Sequence, residues 1–525
     1  MEKGDTQAVI RQMFSKGFIS DLGKNKTPNF YADDVNNIRI KNGGIAIRPW
    51  QELVYYNVSW AFIQGITYNN SNIYIVQGGM LRKLNYSASP VTVTDIGSVV
   101  TTSKVRFITY GIYTIILTGT SYPYVYDGTT LTLLTSAALP ALVYPEFGTS
   151  FAGFTIVNNP LVRNTLLISK SITSITQANC YAWTGTWSET MTFSSNVLGI
   201  IGTMLNMRIF TEKTVEYVSR DNLTETWGIG SLFSIPLAQG YEIVNPDCIC
   251  GAGDIVFFAT KNDKIWSIKY KSQVVTPWIA ILSDMTDNSI DWWMKSNVNN
   301  TKTTNWMEYD RDNNLVKYHV RTTQSTVPDT VIIRDIQEET RLKDNNKYLW
   351  CSVYNGRDVY SWSALSYRIV RDESWGSDAW QDIYWKHEWA SIYDIGGGLA
   401  DLKQYRWYVV WGRINNETTI DVNTYVDDNT VSFRQIKGAD IASLSLSQTI
   451  GWYVIGWEAI GWSILTPWVS WLVPFEKATD PSSLRAYWKK VKFIFSGHGT
   501  NQNFVLDYLS VIARPFVRKI SSDIL

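Results

Sequence analysis

The stretch NIYIVQGGMLRKL, Asn72–Leu84, is a short apolar strand, a tight polar turn and a second strand. The same pattern returns as YTIILTGTSYPYVYDGTTLTLL (Tyr113–Leu134), FTIVNNPLVRNTLLIS (Phe154–Ser169) and MRIFTEKTVEYVS (Met207–Ser219). Two further copies are DIVFFATKNDKIWSIK (Asp254–Lys269) and WMEYDRDNNLVKYHV (Trp306–Val320). Their spacing of roughly 40–53 residues lies within or just above the length of a four-stranded propeller blade. The copies carry no Trp-Asp or kelch signature. Radial repetition suits such units because it leaves only short, protected edges. A run of independent hairpins is the alternative.

Outward from these hairpins, the chain reads as all-β. Residues 51–375 are expected to form a β-propeller of about six blades. Residues 1–50 are polar, with Pro28 and paired Asp33-Asp34, and read as an N-terminal arm and edge strand. Helical periodicity is scarce apart from a short candidate helix near Thr6–Lys16. After Gly356 the rhythm changes to longer strands such as RWYVVWGRI (Arg406–Ile414), TTIDVNTYV (Thr418–Val426), KKVKFIFSG (Lys489–Gly497) and NFVLDYLSVIA (Asn503–Ala513). Residues 376–525 therefore read as a C-terminal β-sandwich-like domain.

Composition narrows the function. The chain has 525 residues, enough for two or more domains with full cores. Lys+Arg equals Asp+Glu at 47 each, so no global basic field points to a protein held on nucleic acid. Aromatic residues reach 14%, with 24 Trp and 30 Tyr, which favours strands and broad contact surfaces. The N-terminus MEKGDTQAVIRQM has no apolar core or cleavage site of a secretory signal. Four cysteines are too few for a disulfide framework, and Cys248 and Cys250 have no second pair to complete a zinc site.

No catalytic constellation emerges. His319, His387 and His498 are the only histidines, and none lies in a metal-ligating or nucleophile-activating pattern. GAGD at Gly251–Asp254 precedes a strand, the wrong context for a dinucleotide loop. SRDNLTETW (Ser219–Trp227) approaches a sialidase Asp-box, but Leu223 stands where that motif has Gly. DRDNN (Asp310–Asn314) resembles the start of a calcium loop, yet Leu315 replaces its Gly and a hairpin turn explains it better. The expectation is a protein that is not an enzyme, with no cofactor and no metal. A glycan-binding or sialidase-like propeller, such as a phage adhesin, is the alternative.

Several stretches resemble one family in its own order. NNIRIKNGGIAIRPW (Asn36–Trp50), with Gly43, Gly44, Arg48 and Pro49, is similar to the N-terminal signature of short-tailed phage hub proteins. VLGIIGTMLNMRIFTEKTVEYVSRDN (Val197–Asn222) is similar to their central signature, through Thr214, Val215, Glu216 and Tyr217. TVIIRDIQEE and KYLWCSVYNG, within 330–356, resemble that family's last blade, and RAYWKKVKFIF (Arg485–Phe495), with Trp488, its C-terminal strand. The family is the packaged-DNA stabilisation, tail-hub or nozzle protein of podovirus-type phages. The resemblance implies a structural virion protein, assembled in the host cytoplasm as a homo-oligomer, a hexameric ring in that family's manner. The ring would sit below the portal and head-to-tail adaptor and bind plug, needle or tail-fibre proteins beneath. It would help retain packaged DNA and pass the duplex transiently and without sequence preference during ejection. The motif residues would be structural rather than catalytic.

The chain departs from that pattern between SFRQIKG (Ser432–Gly438) and RAYWKK, where about forty residues replace a short connection. This Trp-rich insertion, about 439–478, includes TIGWYVIGWEAIGWSILTPWVSWLVPF (Thr449–Phe475). Glu458 and Pro467 interrupt it, and its Trp residues are not gathered in belts at two ends, so a membrane helix fits poorly and membrane contact is not expected. The five-residue Gly-Trp period matches neither a helix nor a flat strand. Trp452, Trp457, Trp462, Trp468 and Trp471 are candidate protein-contact residues, packed on their own domain, on a neighbouring subunit, or gripping a tail component.

Overall fold

The computed structural model describes residues 8–13, 32–41, 44–56, 62–86, 88, 91–101, 103–170, 178–184, 188–203, 206–219, 233–236, 242–253, 255–271, 279–284, 291–337, 340–363, 368–374, 384–389, 403–426, 429–440, 473–479, 491–499 and 502–515. The hairpin Asn72–Leu84 is there as two antiparallel strands, Asn72–Gln77 and Met80–Asn85. Gly78 and Gly79 between them both have positive φ, 57° and 73°, which is what a tight hairpin turn matching the strand twist demands.

Each such hairpin belongs to a four-stranded antiparallel sheet. Sheets I to VI occupy 63–98, 106–133, 148–192, 197–236, 249–284 and 306–345, each a meander in chain order. Sheet VII is built differently. Its strands Leu349–Tyr354, Val359–Ser363 and Arg368–Ser374 are completed by Trp50–Tyr56, from the other end of the chain. The first strands of successive sheets touch in a closed cycle, I to II and onward to VII, and VII back to I. The fold is a β-propeller.

Burial peaks at the second strands and falls toward the outer edge. Second strands such as Tyr113–Leu117, Phe154–Asn158 and Leu315–Val320 are buried along their whole length, because neighbouring sheets cover both faces. The fourth strand Thr92–Ser98 has no buried residue. This explains why the sequence shows short continuous apolar runs rather than clean alternation. Between sheets I and II, for example, Tyr74, Val76, Leu81, Val105, Ile116 and Tyr124 form one cluster.

The hairpin count of about six compares with seven four-stranded sheets. The difference is sheet VII, whose fourth strand is separated from its partners by the rest of the propeller.

Two larger sheets complete the chain. One has six strands: Ile38–Lys41, Gly44–Ile47, Phe504–Pro515, Lys403–Ile414 and Val473–Thr479 in order, with Ala8–Met13 also paired to Phe504–Pro515. The other runs Ala32–Asn36, Trp385–Trp389, Val491–Gly497, Thr419–Val426 and Asn429–Lys437. Val35, Ile45, Val410, Val422, Phe495 and Leu506 are buried in a core that continues into sheets V and VI. The expected helix near Thr6–Lys16 is a strand over Ala8–Met13, since pairing with Tyr508–Ala513 satisfies its backbone where an isolated short helix is marginal. Among the described residues no helix is long and apolar enough to cross a membrane. The five insertion tryptophans, Trp452, Trp457, Trp462, Trp468 and Trp471, lie outside the described residues; the chain re-enters the six-stranded sheet at Val473.

Candidate functional site: the closure junction and the propeller channel

Two charged constellations stand out, and both begin with strands that should not hold charge. Leu315–Val320 places Lys317 and His319 on one face, and both are fully buried. Lys317 reaches across to sheet VII, where its Nζ lies 2.8 Å from Asp372 Oδ2, and it also lies 3.2 Å from Asp310 Oδ2 of its own sheet. Lys347, in the connection between sheets VI and VII, binds the same carboxylate at 2.8 Å and approaches Asp344 at 3.5 Å. Gln51 of the closing strand donates to Asp372 Oδ1 at 3.3 Å. Arg39, from the six-stranded sheet, grips Asp344 through two parallel bonds of 2.8 Å.

The network therefore ties sheet VI, sheet VII, the closing strand and the two-sheet unit at one point. Burial opposes the charge on Asp372, but Lys317 and Lys347 outweigh it and hold its carboxyl well below the usual range. Burial likewise opposes Asp344, and Arg39 lowers it nonetheless. His319 is pushed down by burial despite Glu308 at 3.3 Å, so its ring is neutral at pH 7, stacked 3.7 Å from Trp306.

The second constellation crosses the propeller's axis. First strands of all seven sheets line a channel of about 350 Å³, including Gly65, Arg106, Gly148, Ile200, Met307 and Cys351. Gly148 is required there, because a Cβ would lie 2.6 Å from Ile156 O and 2.5 Å from Ile108 Cδ1. Arg106 of sheet II donates from Nε and Nη2 to the two oxygens of Asp247, just before sheet V, at 2.7 and 2.8 Å. Lys104 Nζ adds a contact of 3.0 Å. Asp247 in turn accepts at its backbone oxygen from Met307 N of sheet VI. Burial disfavours the Asp247 carboxylate, yet Lys104 and Arg106 hold it below the ordinary carboxylate range. The axis is thus bridged by ion pairs.

A lowered folded pKa means that Asp247 stabilises the fold above the unfolded value of about 3.9 and loses that contribution as pH falls through the folded value. Asp247→Asn is expected to lower stability at pH 7 by roughly 1.5–3 kcal/mol, the range for hydrogen bonds to charged groups. The variant should also show a shallower fall in thermal midpoint below about pH 4. Scanning calorimetry between pH 7 and 3 checks both; parallel pH profiles for variant and parent would contradict the assignment.

The sequence motifs fall at two separate places. Gly44 opens the strand Gly44–Ile47, where a Cβ would meet Leu506 O at 2.8 Å. Arg48 is 1% exposed, its backbone N donates to Asn37 O, and its charge helps lower Asp344. Pro49 is buried beside it. These residues belong to the closure junction. Val215 is buried between sheets IV and V, and the Thr214 hydroxyl donates to Glu216 Oε1 at 2.7 Å. Tyr217 continues that strand. Gly43 and Trp488 lie outside the described residues. Sequence reasoning missed Lys317, Asp372, Lys104 and Asp247; only Lys317, a charge within the apolar strand Leu315–Val320, carries a local signal. Cys248, Cys250 and Cys351 are buried free thiols, and DRDNN is a hairpin turn with Asn314 at φ 54°. Among the described residues no group of three or more His, Cys, Asp or Glu is placed to hold a metal.

No family model and no curated protein matches the chain. Among solved structures, the chain is similar to the β-propeller domain of Myceliophteria thermophila Cps50 (Swd1), at 8% identity and TM-score 0.43, over 61% of this chain and 99% of that one. It is similar to YCF48 from Cyanidioschyzon merolae at 9% identity and TM-score 0.38, over 62% and 98%. A chain of a mitotic checkpoint complex matches at 8% identity and TM-score 0.38, over 63% and 94%. The propeller assignment rests instead on the order and closure of the chain's own sheets.

Proposed function

We propose that this protein is a structural subunit of a phage tail hub or nozzle ring: a seven-bladed propeller fused to a β-sandwich. In this reading it forms a closed ring below portal and adaptor, extends the DNA channel, and carries plug, needle or fibre proteins. The observation that carries the proposal is the closure junction. Within the N-terminal signature stretch, Arg39 pairs with Asp344 of sheet VI and Arg48 helps lower that carboxylate, beside the buried ion network of Lys317, Lys347 and Asp372. Such a junction makes propeller and sandwich one stiff body, which suits a component that must hold pressurised DNA.

The closed axis bears on the route of the DNA. A space of about 350 Å³ crossed by Arg106–Asp247 is far too small for a duplex. The conduit in this reading is the lumen enclosed by several subunits, and balanced charge keeps such a lumen from retaining phosphates. A ring also needs broad lateral faces, and an aromatic-rich composition suits them.

Native mass spectrometry of the full chain tests the proposal, with closed oligomers expected. A variant lacking 449–472 adds a second arm. Intact rings that no longer bind a tail component would assign the Gly-Trp stretch to partner grip, and failed ring formation would assign it to subunit packing. A strictly monomeric parent chain would sink the proposal.

A further inference from the structure

The channel on the propeller axis has a volume of about 350 Å³, within the roughly 300–1,000 Å³ usual for ligand sites. Asp247 is the only acid among the described residues of its lining, and it faces two cations, Lys104 and Arg106. Arg106 is committed: Nε and Nη2 donate to Asp247, and Nη1 donates to Glu146 O at 3.0 Å. Lys104 is committed far less. Its Nζ touches one acceptor among the described residues, Asp247 Oδ2 at 3.0 Å, and an ammonium carries three donors. Two further acids act here from outside the lining, Glu146 beside Arg106 and Glu308, which is 3.3 Å from His319.

Two hydroxyls of the lining are idle as well. Thr67, in the first strand of sheet I, is 7% exposed, and its hydroxyl bonds to no described residue. Ser352, in the first strand of sheet VII, is half-buried, and its hydroxyl also bonds to none. Those two strands are neighbours, so both hydroxyls stand on one side of the channel. Lys104 reaches the same side, its Nζ 5.9 Å from the ring centre of Trp350, two residues before Ser352. A buried hydroxyl without a partner costs free energy that a ligand oxygen recovers. Elsewhere the lining is apolar, with Phe107, Phe147, Ile200, Met307 and Val353 among its residues. That surface suits an organic group better than a hydrated inorganic oxyanion, and the excess cation disfavours an amine.

We infer that the axial channel binds a small organic monocarboxylate. The carboxylate accepts from the spare donors of Lys104 and from the hydroxyls of Thr67 and Ser352, and the apolar group lies along the rest of the lining. One carboxylate balances the one cation in excess. The inference rests on the channel's lining alone and stands or falls independently of ring formation.

The test is fluorine NMR line broadening with the full chain and three probes of one shape: fluorobenzoate, fluorobenzamide and fluorobenzylamine. Broadening of the benzoate is expected, with less for the amide and none for the amine. Lys104→Gln should weaken the benzoate about tenfold or more, the scale of a lost charge-assisted hydrogen bond. Thr67→Val keeps the side chain's shape and leaves the ion pair intact. It should weaken the benzoate about two- to tenfold, the scale of a neutral hydrogen bond, and it decides the matter if Lys104→Gln fails to fold. No broadening of the benzoate, equal broadening of the amide, or binding undiminished in either variant overturns the inference. So does displacement of the benzoate by an equimolar amount of inorganic phosphate, which would mark a site for any anion.

Discussion

Asp372→Asn is expected to be the most damaging single substitution in the propeller, costing roughly 3–5 kcal/mol, as for one partner removed from a buried ion pair. The amide keeps the shape but leaves the ammonium groups of Lys317 and Lys347, both fully buried, without the carboxylate they share. Asp310 and Glu308 remain near Lys317, and Asp344 near Lys347, but at 3.2–3.7 Å rather than 2.8 Å. The control lies one residue away on the same pair of strands. Glu52 and Arg371 form an ion pair with side chains 40% and 34% exposed, and Glu52→Gln should cost about 1 kcal/mol or less. Denaturant melts of the two variants compare a sealed pair with a wet one. Equal losses would mean that the closure junction does not hold the propeller shut.

The second large effect concerns the N-terminal strands. A chain beginning at Pro49 keeps the closing strand Trp50–Tyr56 but loses Val35, Ile38, Ile40, Ile45 and Ile47, all buried. At about 1.5–3 kcal/mol for each fully buried aliphatic side chain, the loss rivals the whole stability of a typical domain, about 5–15 kcal/mol. It also removes Arg39 from Asp344 and bares one edge of the strand Phe504–Pro515. Hydrogen exchange is expected to show Lys403–Ile414 and Phe504–Pro515 unprotected while sheets I to V stay protected. Retained protection in those two strands would show that the N-terminal strands are dispensable.

These two regions also mark where sequence reasoning stopped. Hairpins are local: a turn such as Gly78-Gly79 and its flanking apolar strands lie within a dozen residues, so the propeller hairpins are legible one by one. Closure is not local. Gln51 and Asp372 meet across 321 residues, and nothing near Trp50 announces a partner near Arg368. The N-terminal strands are hidden for the same reason, their partners being near residue 505 and in 385–389. The ion network escaped for a different one. In LVKYHV, Lys317 and His319 interrupt an otherwise apolar strand, and Asp372, which binds Lys317 at 2.8 Å, lies 55 residues further along the sequence. Sheets stacked on both faces bury the strand, and Lys317 is tolerated only because Asp372 arrives from the next sheet.

The most direct test of the ring proposal is electron microscopy of the purified full-length chain at micromolar concentration. Closed rings are expected, with each subunit's own propeller axis occluded and an open lumen between subunits wide enough for duplex DNA. Isolated monomers, or open chains of subunits with no lumen, would contradict it.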